Sequence, residues 1–374
     1  MPRPKLLHIE TMRGIACLLL VAYHVIGAGP STGMRLPSDD LLPVLSRLFS
    51  DIRMPMFAFI SGFVFTGYTG AFGAVSSAMA KKTRRLLIPL VAVSTVHYLV
   101  QAVAVEQSEL PLWQIYFMPY AHYWYLQATF LIMAALALTA FALGGRRMVS
   151  SIILLLVSAA IFILVPRWEP DVFSGWKAIY LAPFFLAGHL AAAHFSPDER
   201  QRRWIVVVLG LILALQMGVE ITLSTGAVWF DQPWRASMTL ATGLTCCFLL
   251  LALRPSVPAL SYIGDKSYAI FLFHVFFTAG SRIMLAEIWP AAPNDVIFTV
   301  GLAAGIAGPI ALAPLLMRHR VTALLFLGID LGKVRSGARR AQPASAPPGW
   351  SERRSNNPAA APAARGSAAR NRSP

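Results

Sequence analysis

The stretch TMRGIACLLLVAYHVIGAG, residues 11–29, has the length and the apolar character of a helix that crosses a lipid bilayer. Two of its residues do not suit that environment, because Arg13 is charged and His24 is polar. They are eleven residues apart, which at about 100° per residue brings them to within about 20° of the same helix face. Their separation along the helix axis is about 16 Å. One face of this helix therefore carries a fixed cation and, deeper in the membrane, a titratable base.

The whole chain has the composition of an integral membrane protein. Of its 374 residues, 56% are hydrophobic and 13% are charged, and the mean hydropathy is +0.60. A soluble domain contains about 25% charged residues. The net charge of +15 does not indicate a nucleic-acid partner, because residues 333–374 alone hold nine Lys or Arg and one acid, Glu352. The three cysteines have neither a disulfide pattern nor metal-ligand spacing, so we expect no bound metal.

Ten segments are apolar and have about the length that a helix needs to cross a bilayer. They are continuous runs rather than alternating ones, which favours helices over the strands of a barrel. The sequence therefore predicts an all-α polytopic membrane protein with about ten transmembrane helices, its membrane domain covering residues 1–330. The segments are 11–29, 53–70, 84–104, 122–143, 149–166, 176–195, 204–223, 235–253, 267–285 and 295–316.

The distribution of basic residues predicts the orientation. With the N-terminus inside the cell, most loops rich in Lys and Arg lie on the cytoplasmic side, and an even number of spans returns the C-terminus to that side. We therefore expect both termini to be cytoplasmic. Residues 331–374 are rich in Pro, Ala and Arg and are predicted to be a disordered tail, either solvated or resting on anionic lipid head groups. A cleaved signal peptide is not expected, because Arg13 and His24 interrupt the apolar region.

Arg13 and His24 have a functional and a structural interpretation. Polar groups inside a membrane usually face the bundle interior or a hydrated cavity and often mark a pathway. The alternative is an arginine that reaches the lipid head groups and a histidine hydrogen-bonded to a neighbouring helix. Histidine exchanges a proton near neutral pH and so suits the activation of a hydroxyl nucleophile. Glu10 lies one turn before Arg13 and can hold its guanidinium in place.

Five segments along the chain carry recognisable motifs. IETMRGIACLLLVAYH (9–24) contains Glu10 and an Arg-x10-His pair, and RMPMFAFISGFVF (53–65) ends in an aromatic-rich Ser-Gly-Phe run. KKTRRLLIP (81–89) is basic, HYWYLQATF (122–130) has a Trp-aromatic-Leu start, and LSYIGDKSYAIFLFHVFF (260–277) ends near a histidine. In this order they resemble the motifs of the acyltransferase-3 family of integral membrane O-acyltransferases.

The resemblance implies an enzyme that transfers an acyl group, usually acetyl, from cytoplasmic acyl-CoA to a hydroxyl of a cell-surface or lipid-linked carbohydrate. It implies a multi-pass protein of the bacterial inner membrane with no permanently bound cofactor. Because no soluble domain follows residue 320, either this chain completes the transfer or a separate extracytoplasmic protein does. On this basis the candidate residues are His24 and Arg13 (catalytic), Glu10 (orienting), Lys82, Arg84 and Arg85 (acyl-CoA binding), and Ser61, Trp124, Tyr125, Ser267 and His274 (substrate cavity).

Structural explanations stand beside several of these roles. The sorting of positive charge to the cytoplasmic side accounts for Lys82, Arg84 and Arg85 without a ligand. Ser61 also suits close helix packing, and Trp124 and Tyr125 also suit an aromatic belt at the outer interface. His97 and His189 have no supporting pattern and are interpreted as hydrogen-bonded bundle residues. For the whole protein, the alternative function is transport of a glycan precursor or small solute. Inverted repeats in the sequence would favour a transporter, and no such repeat is visible.

Overall fold

The computed structural model describes residues 6–29, 32–65, 72–104, 111–224, 231–330 and 332. Within them the chain forms fourteen α-helices and one 3₁₀ helix, and no strand. The predicted disordered tail lies outside the described residues, apart from position 332. The helices are α1 (Leu7–Ile26), α2 (Leu41–Leu48), α3 (Ser50–Phe63), α4 (Phe72–Ala104), α5 (Gln114–Phe117), α6 (Trp124–Ala142), α7 (Arg147–Leu164), α8 (Gly175–His194), α9 (Glu199–Ser224), α10 (Gln232–Leu253), α11 (Pro258–Asp265), α12 (Ser267–Ile288), α13 (Asn294–Leu316) and α14 (Arg320–Leu327).

The helical membrane fold is confirmed, although fewer helices qualify as spans than predicted. Each of the ten predicted segments overlaps one long helix, but eight helices in the described chain are long and apolar enough to cross a membrane. The two others are α3, which has 14 residues, and α8. Most residues of both helices are buried in protein. A helix enclosed by other helices needs less apolar surface than one that faces lipid, so hydropathy alone does not determine the number of spans.

Glycines bring α3 and α8 into direct backbone contact. A Cβ atom on Gly62 would overlap the carbonyl oxygen of Phe185, and one on Gly188 would overlap the carbonyl oxygen of Phe59. Small residues at such crossings let helices approach closely, which is how helices associate in membranes. Gly62 belongs to the Ser-Gly-Phe run of the second motif, so part of that motif has a packing role.

A second pair of glycines joins α1 to α11. A Cβ atom on Gly14 would overlap the carbonyl oxygen of Leu260, and one on Gly264 would overlap that of Glu10. The contact involves the turn of α1 that carries Glu10 and Arg13. Along the rest of its length α1 also packs against α3, α12 and α13. The first predicted span is therefore the helix around which residues from the other motifs collect.

Two buried carboxylates, Asp51 and Glu220, share the partly exposed guanidinium of Arg235 and so connect the start of α3 to α9 and α10. The guanidinium of Arg235 lies 2.9 Å from Asp51 Oδ2 and 2.5 Å from Glu220 Oε1. The hydroxyl of Thr239 also donates to Asp51 Oδ2, at 3.2 Å. Breaking a buried ion pair leaves an uncompensated charge and is costly, so this network fixes the position of α3 relative to α9 and α10.

Candidate functional site

Arg13 and Glu10 form the pair that their spacing predicts. Nη1 of Arg13 donates to Glu10 Oε2 at 2.7 Å, and the side chains are 21% and 11% exposed. Because the contact with α11 fixes this turn of α1, the guanidinium is held both by its partner and by its backbone. A guanidinium has five donors, and Nη1 is the one that this hydrogen bond uses.

His24 lies in the last turn of α1, which puts it close to the opposite end of the helix from Glu10 and Arg13. Its Nδ1 atom is 2.9 Å from the carbonyl oxygen of Leu20, one turn earlier. The residue is partly exposed. The ring of Tyr23 packs edge-on against it, with centroids 4.9 Å apart, and the guanidinium of Arg53 lies 3.7 Å above that tyrosine ring.

Two further histidines meet His24, and we refer to His24, His122 and His274 as the histidine cluster. Nε2 of His274 lies 3.1 Å from Nδ1 of His24, and the ring of His122 lies 4.7 Å from that of His274 and 5.5 Å from that of His24, between centroids. His24 comes from α1, His122 from the turn before α6, and His274 from α12. The exposed fractions of His122 and His274 are 4% and 0%, so His24 is the least buried member of the cluster.

Sequence reasoning did not select His122, although it is the first residue of the HYWYLQATF motif. His97 and His189 are predicted to be hydrogen-bonded bundle residues, but the Nδ1 atom of His189 has no hydrogen-bond partner in the described chain, and His97 differs in the same way. The ring of His97 lies 6.4 Å from that of His122, and the Nδ1 atom of His97 has no hydrogen-bond partner in the described part of the chain. The signal that could have identified His122 is its position at the start of the motif that also carries Tyr125. Its contact with the other histidines depends on which helices are neighbours, which a single sequence does not specify.

Two tyrosines from the segment before α6 lie on the His122 side of the cluster, with Tyr120 stacked behind Tyr123. Tyr123 is fully buried, and its ring lies 4.1 Å from that of His122. The hydroxyl of Tyr120 donates to Gln101 Oε1 at 2.5 Å. Burial, followed by the neighbouring Tyr98, raises the pKa of Tyr120 to about 12. This phenol therefore stays protonated at physiological pH and does not compete with a histidine as a base.

Ser61 and Tyr125, both predicted cavity residues, are bonded to each other. Their hydroxyl oxygens are 2.9 Å apart. The ring of Phe271 lies 5.3 Å from that of Tyr125 and 5.2 Å from that of His122, so it bridges this pair to the histidine cluster. Tyr125 is 7% exposed, which differs from a position in an interfacial aromatic belt. The reason is that α6 begins beside the buried cluster rather than at a lipid surface.

Trp124 and Ser267 lie outside the histidine cluster itself. Trp124 is partly exposed, and Lys177 Nζ lies 5.8 Å from its ring centroid. Ser267 is buried and is the first residue of α12, two turns before His274. Among the described residues neither makes a hydrogen bond or a ring contact with the histidine cluster, although the ring of Trp124 lies 6.3 Å from that of Tyr125, between centroids.

The predicted acyl-CoA-binding residues differ in how many of their donors are already bonded to other parts of the protein. Arg84 pairs with Asp330 at 3.2 Å, and Arg85 donates to the carbonyl oxygen of Leu327 at 2.7 Å. The Arg85 guanidinium also lies 4.1 Å above the ring of Tyr268. These two residues therefore attach α4 to α14 and α12. Lys82 lies 5.0 Å above the ring of Phe65 and has no salt bridge among the described residues.

The ring nitrogens of the histidine cluster are close enough together to be considered as possible ligands of one metal ion. One ring nitrogen from each of the three lies within 4.8 Å of the other two. Three histidines make a known zinc ligand set, although nitrogens bound to one zinc ion at about 2.0–2.1 Å lie closer together than this limit. The expectation that the protein holds no metal stays a prediction.

Two apolar surface cavities of the described chain lie away from the cluster. One of about 540 Å³ is lined by apolar residues of α9 and α10, including Trp204 and Phe248. Another of about 600 Å³ lies between α4 and α14, including Val91 and Phe326. Both expose almost wholly apolar surface, which suits lipid tails rather than a sugar or a nucleotide.

Comparison with known families agrees with the motifs. A family profile described as "Acyltransferase domain" matches residues 6–314, which include all five motifs. No curated protein and no solved structure gives a significant match. Since the matched region covers most of the 374 residues and includes both Arg13 and His24, the chain belongs to the acyltransferase-3 family of membrane acyltransferases.

Proposed function

We propose that this membrane acyltransferase is an O-acetyltransferase of the bacterial inner membrane. It takes the acyl group from cytoplasmic acetyl-CoA and transfers it to a hydroxyl of a cell-surface or lipid-linked carbohydrate. His24 is the general base. A separate extracytoplasmic protein is the partner to which a lipid-linked intermediate would pass if this chain does not complete the transfer.

The observation that carries this proposal is the environment of His24. It is partly exposed, while His122 and His274 beside it are buried. Its Nδ1 atom lies against a carbonyl oxygen, which can only accept a hydrogen bond, so the proton of the neutral ring belongs on Nδ1. The lone pair of Nε2 is then the basic atom.

The reaction needs such a base because a sugar hydroxyl is a poor nucleophile at neutral pH. In the proposed step the hydroxyl oxygen attacks the thioester carbonyl while Nε2 of His24 takes its proton. A carbon–oxygen bond forms, the carbon–sulfur bond breaks, and the thiolate of CoA leaves. The thiolate then recovers the proton from His24. The products are the O-acyl sugar and CoA thiol, and the histidine returns to its starting state.

Cationic residues at the predicted cytoplasmic end suit the phosphates of the donor. Arg13 is held by a single carboxylate partner, and Lys82 has an aromatic contact rather than a salt bridge, so both retain donors for a phosphate oxygen. Arg84 and Arg85 already use hydrogen-bond donors in contacts with Asp330 and Leu327, so they have a smaller role in this proposal. The thioester must then reach about 16 Å along α1, from the level of Arg13 to that of His24.

The proposal is tested by mass spectrometry of surface polysaccharide and lipid-linked glycan. Three strains are compared: a deletion strain, the same strain complemented with the wild-type gene, and one complemented with His24→Ala. We expect acetyl groups to be lost on deletion, restored by the wild type, and absent with His24→Ala at equal protein level and equal thermal stability. Wild-type acetylation by a well-expressed His24→Ala protein would remove His24 from the reaction.

The transporter alternative gives a different outcome in the same strains. A transporter would alter the amount or the location of a glycan while leaving its acetyl content per repeat unchanged. Measuring acetyl content per sugar repeat, rather than total acetyl, therefore separates the two functions.

A further inference from the structure

We infer that His274 is a positioning residue for His24: it holds the imidazole in the tautomer with the proton on Nδ1 and so directs the basic lone pair of Nε2 to the substrate. The inference rests on the proposed role of His24 as the base. It assigns to the histidine of the fifth motif a role other than contact with substrate.

The first step concerns the tautomer of His274 itself. Its Nδ1 atom lies 2.8 Å from the carbonyl oxygen of Ile270 and 3.0 Å from that of Phe271. Carbonyl oxygens only accept hydrogen bonds, so Nδ1 of His274 carries the proton. In the neutral ring the other nitrogen, Nε2, is then an acceptor with a lone pair.

The second step transfers this constraint to His24. Its Nδ1 atom lies 2.9 Å from the carbonyl oxygen of Leu20 and 3.1 Å from Nε2 of His274. Both neighbours are acceptors, so the Nδ1 proton of His24 is shared between them. The opposite tautomer would set three lone pairs against one another at this point, without a hydrogen between them. The two contacts together hold the proton on Nδ1.

The third step is energetic. When His24 accepts the hydroxyl proton, its ring becomes a cation and the hydrogen bond from Nδ1 becomes charge-assisted, which makes it stronger. The lone pair of His274 therefore stabilises His24 most strongly when the positive charge develops on the His24 ring. This is the role that a carboxylate has behind the histidine of a catalytic triad, performed here by a neutral imidazole.

Burial separates this role from direct catalysis. His274 is 0% exposed, whereas His24, whose Nδ1 atom it contacts, is partly exposed. In the described chain the contact of His274 Nε2 is with His24, at 3.1 Å, and His122 meets His274 through a ring contact, with centroids 4.7 Å apart. His274 thus acts on the reaction through His24.

The first experiment measures kcat and KM in proteoliposomes for His274→Phe and His274→Gln. Phenylalanine keeps the ring but has no acceptor, whereas glutamine can place an oxygen near the position of Nε2. We expect His274→Phe to lower kcat about 10- to 100-fold with little change in KM for acetyl-CoA, since a general base contributes about 10²- to 10⁴-fold in total. His274→Gln should recover part of this loss. His189→Phe, the same change outside the cluster, is the control and should stay within about two-fold of wild type.

The second experiment does not depend on activity. Solid-state ¹⁵N NMR of histidine-labelled protein in lipid distinguishes a protonated from an unprotonated Nδ1, and the His24 signals are assigned by their absence in His24→Asn. We expect Nδ1 of His24 to be protonated in the wild type, with a population of the other tautomer appearing in His274→Phe.

The outcomes are distinct. Equal impairment of His274→Phe and His274→Gln, unchanged kcat in His274→Phe, or a proton on Nε2 of His24 in the wild type would each overturn the inference. So would loss of wild-type activity on metal removal with recovery on adding zinc, because the histidines would then be ligands. If the wild type transfers no acyl group but shows the Nδ1 proton with its dependence on His274, the positioning contact stands and the proposed function fails.

Discussion

At the scale of single residues, α1 carries a group suited to donor binding and a group suited to proton transfer near its opposite ends. Arg13 offers a permanent cation that suits phosphates, and His24 offers a proton acceptor at the other end of the helix. Each has a local partner that fixes it: Glu10 for the guanidinium, and Leu20 with His274 for the imidazole. Donor binding and proton transfer should therefore respond separately to mutation.

Removing the charge of Glu10 tests the first of these functions. In Glu10→Gln the Arg13 guanidinium loses its ionic partner, which costs about 1.5–3 kcal/mol for a hydrogen bond to a charged group. We expect KM for acetyl-CoA to rise several-fold while kcat falls less than two-fold. Glu199→Gln, at an exposed ion pair with Arg202, is the matched control and should change neither constant. A fall in kcat alone would show that Glu10 serves the chemical step instead.

The basic segment of α4 gives a second test at this scale. Lys82→Gln should raise KM for acetyl-CoA without changing the melting temperature, because Lys82 has no salt bridge in the described chain. Arg85→Gln should lower the melting temperature by several degrees, since it removes the bond to Leu327 and the contact with Tyr268. Thermal unfolding in detergent and donor kinetics measure the two effects. The opposite pattern would exchange the roles of these residues.

Helical spacing alone relates only residues that lie on one helix, whereas the family motifs also selected Ser61, Tyr125 and His274 from other helices. The pairing of Glu10 with Arg13 follows from helical spacing, and the shared face of Arg13 and His24 follows from the same geometry. His122 could not be identified this way, because its contact with His24 joins residues 98 positions apart. The bond between Ser61 and Tyr125 is of the same kind, joining positions 64 apart.

At the scale of elements, backbone contacts at glycines determine how the central helices meet. The α3–α8 and α1–α11 crossings each use one glycine from either helix, and in both cases a Cβ atom would overlap a carbonyl oxygen. The lengths and periodicity of the segments predicted the helices themselves. They could not predict that α3 and α8 would be enclosed, since the hydropathy of a segment does not identify its neighbours.

Adding one methyl group tests these crossings. Gly62→Ala and Gly188→Ala should each lower the melting temperature by several degrees, because the obstructing atoms are backbone atoms and cannot move aside cheaply. Gly210→Ala in α9 is the control: its Cβ would meet nothing within 4 Å, so stability should stay equal or rise slightly. Equal melting temperatures for all three variants would contradict the close packing of α3 and α8.

At the scale of the whole molecule, composition and segment length were sufficient to predict a helical membrane protein. The orientation of that bundle is still a prediction from the positive-inside rule. The burial of all three native cysteines makes it easy to test, because Cys17, Cys246 and Cys247 should not react with a polar reagent.

Single cysteines in two exposed connections report the orientation. Ser196→Cys lies between α8 and α9 on the predicted cytoplasmic side, and Ala291→Cys lies between α12 and α13 on the predicted outer side. In intact cells a membrane-impermeant maleimide should label Ala291→Cys, and Ser196→Cys should react only after permeabilisation. The unmodified protein is the control for background. The reverse labelling pattern would show that the protein has the opposite orientation in the membrane, with Arg13 on the side away from the cytoplasmic donor.

The most direct test of the central claim, that His24 serves acyl transfer from a CoA thioester, uses purified protein in proteoliposomes. Wild type and His24→Ala receive acetyl-CoA labelled in the acetyl group together with the glycan fraction that loses acetyl groups in the deletion strain. The account predicts labelled glycan and stoichiometric free CoA with the wild type, and neither above background with a folded His24→Ala protein. Equal labelling by both proteins, or movement of glycan across the membrane with no label transferred, would contradict it.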